Sequence, residues 1–131
     1  MTYILDTNIC IYIINTKPAN VLDRFRQEEI GNIAISSVTA AELSYGVAKS
    51  ESARNRQALE KFFVPLDILP LGKEAIWEYG NMRAILEKKG KVIGALDMLI
   101  AAHVLSLDAV LITNNAKEFS RVPNLRLENW T

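Results

Sequence analysis

Ile4-Leu5-Asp6-Thr7-Asn8 runs from apolar residues straight into an aspartate, a threonine and an asparagine, and Ile9 to Ile14 then continues apolar nearly all round. Tyr3 to Leu5 is short and β-prone, the pattern of a strand buried on both faces. The run after it is too uniformly apolar for a surface helix and predicts one packed inside. A buried strand handing over to a buried helix at Asp6 is the repeating unit of an α/β domain.

The same alternation recurs along the chain. Asn15 to Lys17 ends the first helix, Pro18 is placed as the first residue of the next, and a helix over about Ala19 to Glu29 turns Val21, Leu22 and Phe25 to one side. Ile33 to Ser36 reads as a second buried strand, followed by a helix start over Ser37 to Leu43. A polar, basic stretch from Lys49 to Arg56 leads into Leu59, Phe62 and Phe63, one apolar helical face. Pro65 and Pro70 bracket a third strand at Asp67 to Leu69. Lys73 to Lys89 is the clearest amphipathic helix, with Ile76, Tyr79, Met82, Ile85 and Leu86 at helical spacing and Gly90 as its stop.

Leu96 to Leu105 is again apolar almost all round, with Asp97 as the only acid. Ala109 to Ile112 is a fourth buried strand, ending in Thr113-Asn114-Asn115. A helical turn around Lys117 to Phe119, a break at Pro123, a last strand near Leu125 to Leu127 and an anchoring Trp130 complete the chain. Together these elements predict a mostly parallel sheet of four or five short strands, covered on both faces.

The 131 residues suffice for one domain that buries roughly two-thirds of its unfolded surface. Lys+Arg and Asp+Glu balance at 15 each, so any nucleic-acid binding must come from local patches rather than the overall field. Cys10 is the only cysteine, which excludes an internal disulfide and a cysteine-rich zinc site and fits a reducing compartment. The first residues lack a secretory pattern, and no apolar run reaches membrane-spanning length. The expectation is a soluble, cytoplasmic protein.

Ligands of open parallel sheets bind beyond the C-terminal strand ends. Asp6, Glu42, and Thr113 to Asn115 all follow predicted strands, and Asp97 lies near the start of a buried helix. Carboxylates crowded at one such edge cannot all stay ionised without a cation among them. A hard divalent ion, Mg2+ or Mn2+, suits an all-oxygen set and points to phosphodiester hydrolysis. Asp6 and Asp97 are the candidate metal ligands, Glu42 a ligand or a base for the attacking water, and Asn115 a neutral oxygen donor or water-holder. Thr7, Asn8 and Thr113 are expected to orient these groups by hydrogen bonds.

Each residue also has a plainer reading. Asp6 and Asp97 can be helix caps, Thr39-x-x-Glu42 matches a capping box, and Asn115 suits a turn. Lys88, Lys89 and Lys91 suit a solvated helix end, although with Arg54 and Arg56 they are candidate phosphate contacts. His103 reads as a core histidine and Cys10 as a small core residue. No dinucleotide fingerprint, P-loop or triad signature is present. A phosphoacceptor signalling domain is a competing reading, but it calls for an adjacent acidic pair on the first loop, where this chain has only Asp6-Thr7-Asn8. A binding module without catalysis is a third.

Four segments, in order, resemble PIN-domain ribonucleases, specifically VapC toxins of bacterial type II toxin-antitoxin pairs. They are Leu5 to Asn8; Ser36 to Leu43 with Tyr45-Gly46; Ile93 to His103; and Leu111 to Asn115 with Glu118-Phe119. The resemblance implies a single PIN domain over residues 1–131, an α/β/α sandwich, and an endoribonuclease dependent on Mg2+ or Mn2+. It implies an acidic site of Asp6, Glu42 and Asp97, with Asn115 where many members carry aspartate. It also implies a homodimer and a VapB-type antitoxin that obstructs the site. The ending Arg126-Leu127-Glu128-Asn129-Trp130 resembles the subgroup that cuts initiator tRNA in the anticodon loop.

Overall fold

The computed structural model describes residues 1–131. Five strands form one sheet: β1 (Tyr3–Leu5), β2 (Ile33–Ser36), β3 (Asp67–Leu69), β4 (Val110–Ile112) and β5 (Arg126–Glu128). Their order is β3-β2-β1-β4-β5, and every pairing is parallel, where the sequence suggested only a mostly parallel sheet. Seven helices connect them: α1 (Thr7–Ile14), α2 (Ala19–Gln27), α3 (Ser37–Ser50), α4 (Ala53–Phe63), α5 (Lys73–Lys88), α6 (Ala95–Ser106) and α7 (Ala116–Phe119).

Successive side chains of a strand point to opposite faces, and here both faces find a core. Ile4, Ala34 and Leu111 join Met82, Leu86, Met98, Ile100 and Phe119 of α5, α6 and α7. Leu5, Ile33, Ile35, Val110 and Ile112 join Ile9, Ile13, Val21 and Leu59 of α1, α2 and α4. That is a three-layer sandwich. Helix α3 stands between the layers, with Val38 packed on the first cluster and Leu43 inside the second.

Several boundaries differ from the sequence reading, each for a local reason. Pro18 is the N-cap of α2 rather than its first helical residue. The basic stretch Lys49 to Arg56 is split, because Glu51 adopts a left-handed conformation that ends α3 and Ser52 caps α4 through the Asn55 N–H. A 3-10 turn over Ile30–Asn32 precedes β2. On α5 the buried stripe is Ala75, Met82 and Leu86, with Tyr79 half-buried, while Ile76 and Ile85 face outward. Helix α5 does stop at Gly90: with φ at 64° it allows Gly90 N–H to reach Glu87 O and Lys91 N–H to reach Leu86 O, at 3.1 and 2.9 Å.

The chain end is fastened as expected of Trp130. Its indole lies edge-on to Tyr3 with centroids 5.8 Å apart, donates to Glu128 Oε1 at 2.9 Å, and is covered by the Arg24 guanidinium, itself paired with Glu128. Replacing Trp130 with Ala is expected to lower unfolding free energy by about 3–5 kcal/mol in urea titrations, as for other large aromatic deletions from a core.

Candidate functional site

Strand β1 is flanked by β2 on one side and β4 on the other, so the strand order reverses there and leaves a crevice beyond the strand ends. Asp6 lies at that point. Its backbone N–H continues the pairing with β4 by donating to Ile112 O at 2.9 Å. Its side chain caps α1, Oδ1 accepting from Thr7 N–H at 2.7 Å, while Oδ2 accepts from the Thr113 hydroxyl at 2.9 Å. Asp6 therefore caps α1 and at the same time stands at the crevice between β1 and β4.

Thr7 turns the other way. Its hydroxyl donates to Glu42 Oε1 at 2.9 Å and lies 3.3 Å from the buried Thr39 hydroxyl. Thr39-x-x-Glu42 is not a capping box: Ser36 caps α3, and Thr39 and Glu42 lie inside the helix. Asp97 is not a cap either, since Gly94 holds that position without a side-chain bond and Asp97 lies in the first turn of α6. There the helix dipole favours its charge.

Thr113 links a fourth element. Its hydroxyl accepts from Asn115 N–H at 2.9 Å while donating to Asp6. Asn115 thus joins the site through its backbone at the N-cap of α7, and its amide makes no capping bond. Asn8 departs from expectation: it is exposed on the first turn of α1 and forms no hydrogen bond with the acids, because the helix turns its side chain to solvent.

The acids feel one another. Burial, above all, raises the Asp6 pKa, with Glu42 adding to it and the bonds from Thr113 and Thr7 opposing. Asp97 is pushed up to about 6 by burial first, then by the charges of Asp6, Glu42 and Glu118. Glu118 is the group the sequence reading left out of the site. Its signal was present in Asn115-x-x-Glu118, which puts a carboxylate one turn after the missing charge of Asn115.

Only oxygen donors meet here, and mutual repulsion is what a hard cation would relieve. No three acidic, histidine or cysteine side chains encircle a single point closely enough to bind an ion directly. The donor chemistry fits a hard cation, which Asp6 and Asp97 would hold. The basic candidates form no ion pair with these acids. Lys88, Lys89, Lys91, Arg54 and Arg56 are exposed, and Arg56 is engaged with Glu60 at 3.0 Å.

A raised carboxylate pKa means that the folded state holds its proton at pH values where the unfolded chain has lost it. Stability from Asp97 is thus present at low pH and lost as pH rises through about 6. In chelator, thermal melts of the protein are expected to fall in midpoint between about pH 4 and pH 6 relative to Asp97→Asn, which should flatten that slope.

The PIN domain family model matches residues 3–125. The chain is 46% identical to "Ribonuclease VapC2" of Rickettsia felis over 99% of its own length and 98% of the relative's. It is 42% identical to "tRNA(fMet)-specific endonuclease VapC" of Shigella flexneri, over 100% and 99% of the two chains. Among solved structures, VapBC2 from Rickettsia felis bound to a promoter DNA fragment matches with a TM-score of 0.93 at 44% identity, covering 100% of both chains.

Proposed function

The chain belongs to the PIN-domain family, in its VapC branch, and from that premise we propose that it is the toxin of a type II toxin-antitoxin pair, a divalent-metal-dependent endoribonuclease. The observation that supports this most is the gathering of Asp6, Glu42, Asp97 and Glu118 around one strand-order reversal.

In this reading Asp6 and Asp97 hold Mg2+ or Mn2+, and Glu118 adds negative charge. When bound, such an ion polarises the scissile phosphate and lowers the pKa of a water. Glu42, aimed by Thr7, either joins the ligand set or takes the proton of the attacking water. Thr113 keeps Asp6 from rotating. The neutral Asn115 holds a water or substrate oxygen without adding to the repulsion.

The substrate we infer is initiator tRNA, in keeping with the tRNA(fMet) specificity in the name of the Shigella relative, and the likeness of the Arg126 to Trp130 ending points to a cut in its anticodon loop. Lys88, Lys89, Lys91 and Arg54 are exposed cations available to its phosphates. The partner is a VapB-type antitoxin, in keeping with the VapBC complex that the fold matches. A groove of about 320 Å³ lined by Ile11, Ile14, Leu43, Val47 and Leu59 opens onto Thr7 and Glu42, so an apolar segment lying there would cover Glu42. No helix is long and apolar enough to cross a membrane; the unpaired, buried Cys10 and an RNA substrate support placing the pair in the cytoplasm.

Purified, antitoxin-free protein is expected to cut initiator tRNA in Mg2+ and stop in EDTA. Asp6→Ala and Asp97→Ala should each lower the rate about a hundred-fold or more while remaining folded. Cleavage that survives EDTA, or variants as active as the parent, would overturn the mechanism.

A second apolar face, formed by Val38, Tyr45, Leu71, Leu96 and Leu99 beside Glu42, supports the expected homodimer. Sedimentation should give a dimer mass for the toxin and a shift toward monomer for Tyr45→Lys with Leu96→Lys. A monomeric parent would remove this part of the reading.

A further inference from the structure

His103 is 2% exposed and does not belong to the acidic site, yet it is bonded to the element that carries part of it. Its Nδ1 lies 2.8 Å from Ser36 Oγ, and Ser36 is fully buried at the end of β2. That Oγ accepts from Val38 N–H at 3.1 Å as the N-cap of α3. With the backbone amide supplying one proton to Oγ, the hydroxyl is free to donate its own to Nδ1. The remaining ring nitrogen then carries the proton, and the Pro70 carbonyl also approaches the ring. Pro70 follows Leu69, which pairs in register with Ser36, and Leu71 N–H donates to Ser37 Oγ at 3.1 Å.

The imidazole thus joins three elements at the rim of the site. It rises from α6, whose first turn carries Asp97. It bonds the first residue of the β2 to α3 junction, and Glu42 stands within two turns along α3. It abuts the end of β3. Without it, α3 and α6 meet mainly through apolar contacts, which resist separation but not sliding. A hydrogen bond between two buried groups fixes a distance.

We propose that His103 is a positioning residue for the acidic site: by bonding Ser36 it fixes the root of α3 against α6 and so sets where Glu42 stands relative to Asp97. Burial pushes the His103 pKa down against the pull of the Pro70 carbonyl, which keeps the ring neutral and able to accept from Ser36. The proposal rests on the endonuclease reading above.

His103→Phe fills the same space without a ring nitrogen, and His103→Asn keeps an acceptor near the Nδ1 position. The test compares RNA cleavage per folded molecule, in saturating Mg2+, with amide hydrogen exchange of the metal-free proteins. His103→Phe is expected to lose about ten- to a hundred-fold in kcat with little change in KM, and His103→Asn to recover much of it. Exchange should quicken in the first turns of both α3 and α6. Should His103→Phe not fold, His103→Leu removes the same ring nitrogen with less bulk, leaves the Ser36 cap of α3 in place, and is expected to show the same loss and the same exchange. An unchanged kcat, equal defects in Phe and Asn variants, or exchange changes confined to the turn around His103 would overturn the proposal. If the parent itself leaves RNA intact, the endonuclease reading falls and the exchange pattern alone decides whether the brace holds.

Discussion

The charge of Asp6 is buried at the seam between β1 and β4, and the groups that make this tolerable organise the rest of the site. Its backbone is pinned by Ile112, one oxygen by the start of α1 and the other by Thr113. A carboxylate left in such a place without donors would be protonated or driven out. The donors come from both sides of the strand-order reversal, so the position of the carboxylate and the register of the two central strands are a single constraint. Thr7 and Thr113 extend it outward, one to Glu42 and the other to the backbone of Asn115.

Helix α3 carries the constraint into the packing. Because it touches both core clusters, it is held by each helical layer, and Glu42 is presented at the boundary between them. The short helix α7 contributes Glu118 from the far side of β4. The acids therefore come from four separate stretches of chain. Burial first, and their repulsion after it, raise Asp97, a free-energy cost of site assembly that apolar burial on both faces of the sheet offsets.

The strands and most helices were legible because a sheet covered on both faces writes itself as brief apolar runs, as in Ile33 to Ser36 and Val110 to Ile112. Asp6, Glu42 and Asp97 stood out because each interrupts or borders such a run. The expected hydrogen bonding of Thr7 and Thr113 to the acids was legible, but which acid each would reach was not, because Thr113 pairs with Asp6 and Thr7 with Glu42 across 107 and 35 residues. Local patterns also misled where two fitted: Thr39 and Glu42 matched a capping box although Ser36 was the true cap. The outward turn of Ile76 and Ile85 was hidden because apolar spacing alone does not say which stripe faces α6. Glu118 was overlooked because a four-residue helix has no periodicity to frame its acid.

The two edges of the sheet have their own consequence. Each edge strand, β3 and β5, is only three residues long; prolines 65 and 70 flank one, and Trp130 folds back just after the other. Such edges offer too few free backbone groups to recruit an added strand, whether from a copy or from another chain. Recognition is thereby displaced from backbone pairing to side-chain fit. Partners must distinguish this protein by the shape and chemistry of its helical surfaces, a discrimination that sequence can tune without disturbing the sheet.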